Sequence, residues 1–142
     1  MRVVFMGTPD FAVPSLKKLA HDHQVALVIT RPDAVRGRGK TLEPSPVKEC
    51  AQELDLPVLE ANRMTSEVIS AMREVQPEVL CVVAFGCILP DEVISLAPYG
   101  ALNVHASLLP RWRGAAPIQR AILAGDAVAG VSIMKIAHKL DA

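Results

Sequence analysis

Runs of apolar, β-branched residues alternate along this chain with stretches of helical period. Strand-like runs fall at residues 3–6, 25–30, 79–84 and 101–105, each almost continuously apolar. Unbroken apolar runs mark strands covered on both faces, as in a parallel sheet. Between them, residues 11–19 set Phe11, Val13, Leu16 and Leu19 on a helical stripe. Residues 47–54 follow a Ser45 cap with Pro46 at the first helical position, and residues 66–75 follow Thr65, both ordinary helix starts. The alternation predicts one α/β domain, a doubly wound, mostly parallel, Rossmann-like sheet with helices on both faces.

In open α/β sheets ligands bind beyond the carboxyl ends of the strands, so the residues just after each run are the ones to weigh. Gly7-Thr8-Pro9-Asp10-Phe11 stands where a dinucleotide fold would carry GxGxxG, but lacks the second and third glycines. Pro9 also removes an amide donor, which argues against a bound pyrophosphate and for a tight turn with Asp10 near the helix start. Residues 31–44 form a connection well beyond the roughly 2–6 residues usual in α/β units, so it is expected to be functional or mobile.

Asn103 and His105 alternate at the end of a strand and project to the same side. An Asn amide can donate to a developing oxyanion and an imidazole can hold or move a proton near neutral pH, a minimal pair for acyl transfer. The same two side chains could instead satisfy backbone groups of the following loop. In Ser107-Leu108-Leu109-Pro110-Arg111-Trp112-Arg113-Gly114, the Arg-Trp-Arg core could stack on and neutralise RNA, or Trp112 could be a packing anchor between solvated arginines.

Composition narrows the partners. With 142 residues, 15 Lys plus Arg, 15 Asp plus Glu and 51% hydrophobic residues, a single core can form without disulfides or a structural metal. Zero net charge excludes a uniformly basic nucleic-acid face and argues against DNA. The zero is a cancellation: residues 31–40 hold Arg31, Arg36, Arg38 and Lys40 against Asp33, whereas residues 49–78 hold seven acids and two bases. Three cysteines without a CxxC pair suit a reducing cytoplasm. The longest apolar stretch, 79–89, is interrupted by Gly86 and too short for a bilayer's ~30 Å core. A strand-like run at the very start leaves no room for a leader, so a cytoplasmic protein is expected.

Taken in order, Gly7-Thr-Pro-Asp-Phe11, Gly37-Arg-Gly-Lys40, Pro44-Ser-Pro-Val-Lys48, Asn103-Val-His105, the run from Ser107 to Arg120, and Gly130-Val-Ser-Ile-Met134 resemble the methionyl-tRNA branch of the folate-dependent formyltransferases. The long run from Ser107 is the most specific of these. Asn-x-His and Ser-Leu-Leu-Pro are shared with the wider family, whereas Gly-Arg-Gly-Lys and Trp-Arg-Gly-Ala-Ala-Pro-Ile-Gln are similar to the tRNA-specific branch.

The resemblance implies transfer of the formyl group of 10-formyltetrahydrofolate to the amino group of methionyl initiator tRNA, without a metal. It implies Asn103, His105 and Asp141 as catalytic residues, Asp141 orienting His105. Folate would lie against Phe85, Gly86, Cys87, Ile88 and Leu89, with Ser107, Leu108, Leu109 and Pro110 as the opposite wall, and Arg36, Arg38 and Lys40 would meet tRNA phosphates. The family's Gly-Leu-Asp-Thr-Gly around the catalytic Asp is here His138-Lys139-Leu140-Asp141-Ala142. Residues 1–142 are therefore expected to be the N-terminal part of a truncated catalytic domain without the family's C-terminal β-barrel, weak or inactive alone and monomeric when complete. Two alternatives stay open: a related formyltransferase or hydrolase using a sugar-nucleotide amine or water, and a non-catalytic folate- or RNA-binding remnant.

Overall fold

A computed structural model describes residues 1–35 and 41–105, together with the strand positions 128–129 and 131–135. The elements are β1 (Arg2–Gly7), a 3-10 turn (Asp10–Ala12), α1 (Val13–Asp22), β2 (Gln24–Thr30), β3 (Ala34–Val35), β4 (Leu42–Glu43), α2 (Pro46–Glu53), β5 (Val58–Glu60), α3 (Ser66–Glu74), β6 (Val79–Val83), α4 (Asp91–Ile94), β7 (Ala101–His105), β8 (Val128–Ala129) and β9 (Val131–Lys135). The main sheet runs β5-β2-β1-β6-β7-β9-β8. Its first five strands are parallel to their neighbours, and β9 and β8 add an antiparallel edge. β3 and β4 pair as a separate antiparallel ribbon.

The apolar runs are buried on both sides, as their composition requires. Val3 and Phe5 of β1, Val25 and Val28 of β2, and Val79, Cys81 and Val83 of β6 face Leu16 and Leu19 of α1 and Val47, Cys50 and Ala51 of α2. Val4, Met6, Leu27, Ile29, Leu80 and Val82 face Val68, Ile69 and Met72 of α3 and Val93 of α4. Val25 and Val28 share a face although three apart, because the register against β1 slips by one residue between Val3 and Val4.

Local chemistry sets the element boundaries. The Ser45 hydroxyl accepts the Lys48 amide at 3.0 Å and shares a buried 2.6 Å hydrogen bond with the Thr30 hydroxyl, fastening the α2 start to the end of β2. Thr65 caps α3 in the same way, accepting from the Val68 amide at 3.3 Å. Helix α2 closes without a glycine: Asp55 takes φ 56°, and the Leu56 amide reaches the Ala51 carbonyl at 2.9 Å, a Schellman ending.

Three details differ from the sequence reading. The first helix begins at Val13, because residues 10–12 form the 3-10 turn and Pro14 occupies the first α-helical turn, where its missing amide costs nothing. β5, only three residues long after Pro57, is too short for its periodicity to register. The run 79–84 ends at Val83, since Ala84 turns to φ 52°.

Candidate functional site

The chain moves outward from β1 to β2 and β5, then returns to the other side of β1 for β6 and β7. That reversal opens a crevice at the carboxyl ends of β1 and β6, where doubly wound folds bind their ligands. β1 can reach it in register only because residue 7 is glycine: a Cβ there would lie 2.7 Å from the Val83 carbonyl oxygen and 3.0 Å from the Ala12 Cβ. On the other strand, Ala84 holds a left-handed backbone, a conformation that costs a non-glycine roughly 1–2 kcal/mol and turns the chain sharply into the segment beginning at Phe85.

Two cavities line this edge. One, of ≈ 420 Å³, has Phe11, Phe85, Gly86, Cys87, Ile88 and Asn103 in its wall. The other, of ≈ 480 Å³, is bordered by Thr8, Pro9, Arg31, Asp33, Asn62 and Gly86. Ala84, Phe85 and Gly86 belong to both, so the β6–α4 segment is the partition between them.

That partition is held from three directions. The Thr8 hydroxyl donates to the Phe85 carbonyl at 3.1 Å. Arg31 Nη1 donates to the Gly86 carbonyl at 2.9 Å, while its Nε donates to Asn62 Oδ1 at 3.1 Å. The Cys87 thiol donates to the Asn62 carbonyl at 3.2 Å. Gly86 has φ 87°, which favours glycine, and a Cβ there would sit 3.0 Å from Arg31 Nη1, close enough to push the guanidinium aside. Below the second cavity, Lys48 Nζ meets Asp33 at 3.0 Å and Glu60 at 3.4 Å. The Asp33 hydrogen bond, with Glu60 assisting, holds the Lys48 ammonium above its ordinary pKa.

Of the residues singled out from the sequence, Phe85, Gly86, Cys87 and Ile88 share one cavity with Asn103. Phe85 is only 2% exposed and its ring sits in the core, whereas Ile88 is 77% exposed. Leu89 packs against the core from the edge and is not part of that cavity wall. Asn103 is half-buried, opposite Val82 of β6 and Met134 of β9. His105 ends β7, opposite Ser132. Arg36, Arg38, Lys40, Ser107, Leu108, Leu109, Pro110 and Asp141 lie outside the described residues. Thr8 lies in the turn that the sequence reads as structural, Arg31 in the connection it marks as functional or mobile, and Asn62 in no segment it marks. Arg31 directly follows β2 and opens the 31–44 connection that the strand-end rule marks; Asn62 follows β5, a strand too short for its pattern to register.

The cysteines divide by burial. Cys81 is fully buried and its thiol is pushed up to about 12, and burial also raises Cys50. Cys87 is half-buried at the cavity. Because the thiolate is the reactive form, iodoacetamide at pH 8 is expected to alkylate Cys87 at least about tenfold faster than Cys50 or Cys81, which react only on unfolding. Peptide mass spectrometry over a time course reads this order. Among the described residues no group of three or more His, Cys, Asp or Glu is placed to share a metal ion, and no helix is long and apolar enough to cross a membrane.

A parallel sheet whose switch-point crevice abuts Asn103 of β7 agrees with the family model described as formyl transferase, which matches residues 1–142; the chain belongs to that family. Relatives about 50% identical to it are named methionyl-tRNA formyltransferase. It is 51% identical over 141 residues to that of Carboxydothermus hydrogenoformans and 52% identical over 142 residues to that of Xanthomonas campestris pv. campestris, alignments covering 99% of this chain and 46% of each relative. The chain thus spans about half the length of the curated relatives it matches. Among solved structures it is similar in fold to phosphoribosylglycinamide formyltransferase from Anaplasma phagocytophilum (TM-score 0.65, 24% identity, covering 100% of this chain and 67% of that one). A formyltetrahydrofolate deformylase from Pseudomonas syringae is similar as well (TM-score 0.62, 20% identity, covering 99% and 47%). The resemblance read from the sequence motifs is borne out over the whole chain.

Proposed function

We propose that this chain carries the formyl-donor site of an enzyme that transfers the formyl group of 10-formyltetrahydrofolate to the α-amino group of methionyl initiator tRNA in the cytoplasm. The observation that supports this best is the shared cavity: residues 85–88, with their main-chain groups turned at Gly86, stand across from Asn103 on one strand-end crevice. Its mix of apolar side chains and main-chain donors and acceptors suits a flat, polar-edged heterocycle.

In this reading folate supplies the formyl carbon, and Phe85, Gly86, Cys87 and Ile88 hold its ring system, with Leu89 backing them from the core edge and Ser107, Leu108, Leu109 and Pro110 opposite. The Asn103 amide donates to the carbonyl oxygen as negative charge develops on it, a contact that strengthens toward the transition state. His105 takes part in the same stabilisation and moves the amine proton, with Asp141 orienting the ring. Arg36, Arg38 and Lys40 neutralise tRNA phosphates, so tRNA use falls with salt more steeply than folate use. The complete protein works as a monomer, with residues 1–142 as the N-terminal part of its catalytic domain.

The test offers donor labelled in the formyl carbon to this chain, alone and joined to the remaining segment of the Carboxydothermus hydrogenoformans relative. Methionyl-tRNA, a sugar-nucleotide amine and water compete as acceptors. Label on methionyl-tRNA in the joined form is the expected result. Label only on the sugar amine or released as formate would assign another branch of the family, and donor binding without turnover in either form would assign a non-catalytic role.

A further inference from the structure

Arg31 belongs to none of the three residue groups the proposed reaction uses, yet it makes the charged contact to the segment proposed to hold the donor. Its guanidinium spans two loops, giving Nη1 to the Gly86 carbonyl and Nε to the side chain of Asn62. Asn62 in turn accepts the Cys87 thiol on its main-chain carbonyl. Arg31, Asn62 and the Phe85–Cys87 stretch therefore form one closed chain of contacts, to which Thr8 adds the Phe85 carbonyl.

The root of Arg31 is itself fixed. Its amide lies 3.4 Å from the Thr8 hydroxyl, and two residues on the Asp33 amide donates to Glu60 at 3.1 Å while Lys48 holds the Asp33 carboxylate. A planar fork held at its base and engaged at both tips loses little freedom on making its contacts. Gly86 has no Cβ to obstruct it, and its φ of 87° leaves that segment without the backbone stiffness of an ordinary residue. The guanidinium supplies the rigidity that the glycine removes.

We infer that Arg31 is a positioning residue for the formyl donor, holding the Gly86 carbonyl so that residues 85–88 present a fixed set of main-chain groups to it; this rests on the donor site proposed above. Removing Arg31 frees residues 85–88 before binding, and the donor must then order them.

The test uses the joined protein described above, with initiator methionyl-tRNA saturating. Arg31→Ala is expected to raise the KM for 10-formyltetrahydrofolate about tenfold, the weight of one charge-assisted hydrogen bond, with kcat within about threefold. Asn62→Ala gives a smaller rise, and the double variant gives no more than Arg31→Ala alone because both act through one tether. Arg31→Lys, which can reach one acceptor but not both in the forked geometry, is intermediate. The Tm of the ligand-free variants is measured alongside, since a merely structural role would lower it without separating KM from kcat. An unchanged donor KM in Arg31→Ala, additive effects in the double variant, or a rise confined to the KM for tRNA would overturn the inference. Failure of the parent protein to use the folate donor would instead remove the reading on which it rests.

Discussion

In the joined protein, Asn103→Ala is expected to lower kcat for formyl transfer by about 10²–10³, equivalent to roughly 2.7–4 kcal/mol, the cost of removing one oxyanion donor elsewhere. The donor KM should move little, because the amide is assigned to a contact made in the transition state and not to ground-state binding. The effect is expected to be large for a positional reason. Asn103 sits in the middle of β7, held in register by Val82 on one side and Met134 on the other, so the sheet fixes the backbone that carries its amide before the reaction begins. Asn103→Asp is expected to be at least as damaging, since a carboxylate replaces the donor with negative charge. Steady-state kinetics at saturating methionyl-tRNA read both variants. A kcat within about threefold of the parent for Asn103→Ala would remove Asn103 from the reaction.

The largest expected effect on stability comes from Gly7→Ala, about 2–3 kcal/mol. Overpacking a close-packed site usually costs about 1–3 kcal/mol, and here relief is poor. The new methyl meets the Val83 carbonyl at 2.7 Å, a backbone atom in the middle of the sheet, with Ala12 and Phe5 at 3.0 Å behind it. Relaxation has to part β1 from β6, and the two strands carry Thr8 and Ala84 at their ends. The same substitution should therefore also draw Thr8 away from the Phe85 carbonyl and weaken donor binding. Urea denaturation of the parent and variant gives the stability difference, and a loss below about 0.5 kcal/mol would show that the carbonyl can yield.

How much of this was legible in the sequence depends on the reach of each signal. The strands at 2–7, 24–30, 79–83 and 101–105 are long enough for their apolar character to declare them, and Ser45 and Thr65 cap their helices as their residue types predict. β5 escaped because three residues cannot show alternation, and with it went the position of Asn62 at the sheet edge. The meeting of residues 85–88 with Asn103 follows from the pairing of neighbouring parallel strands, since Asn103 lies opposite Val82, one residue before the end of β6. Thr8 and Arg31 make long-range contacts through ordinary side chains to main-chain carbonyls. No residue type or spacing announces such contacts, which arise from the sheet order. The role of Ala84 was likewise hidden, since an alanine in a left-handed turn carries no mark in the sequence.

Amide hydrogen exchange with and without tetrahydrofolate tests most directly whether the donor lies at this edge of the sheet. Saturating ligand is expected to slow exchange over residues 85–89 and in β7, and to leave α2 and the C-terminal half of α1, remote from Phe11 in the cavity wall, unchanged. Protection confined to α1 and α2, or no protection at saturating ligand, would contradict a donor site between Gly86 and Asn103.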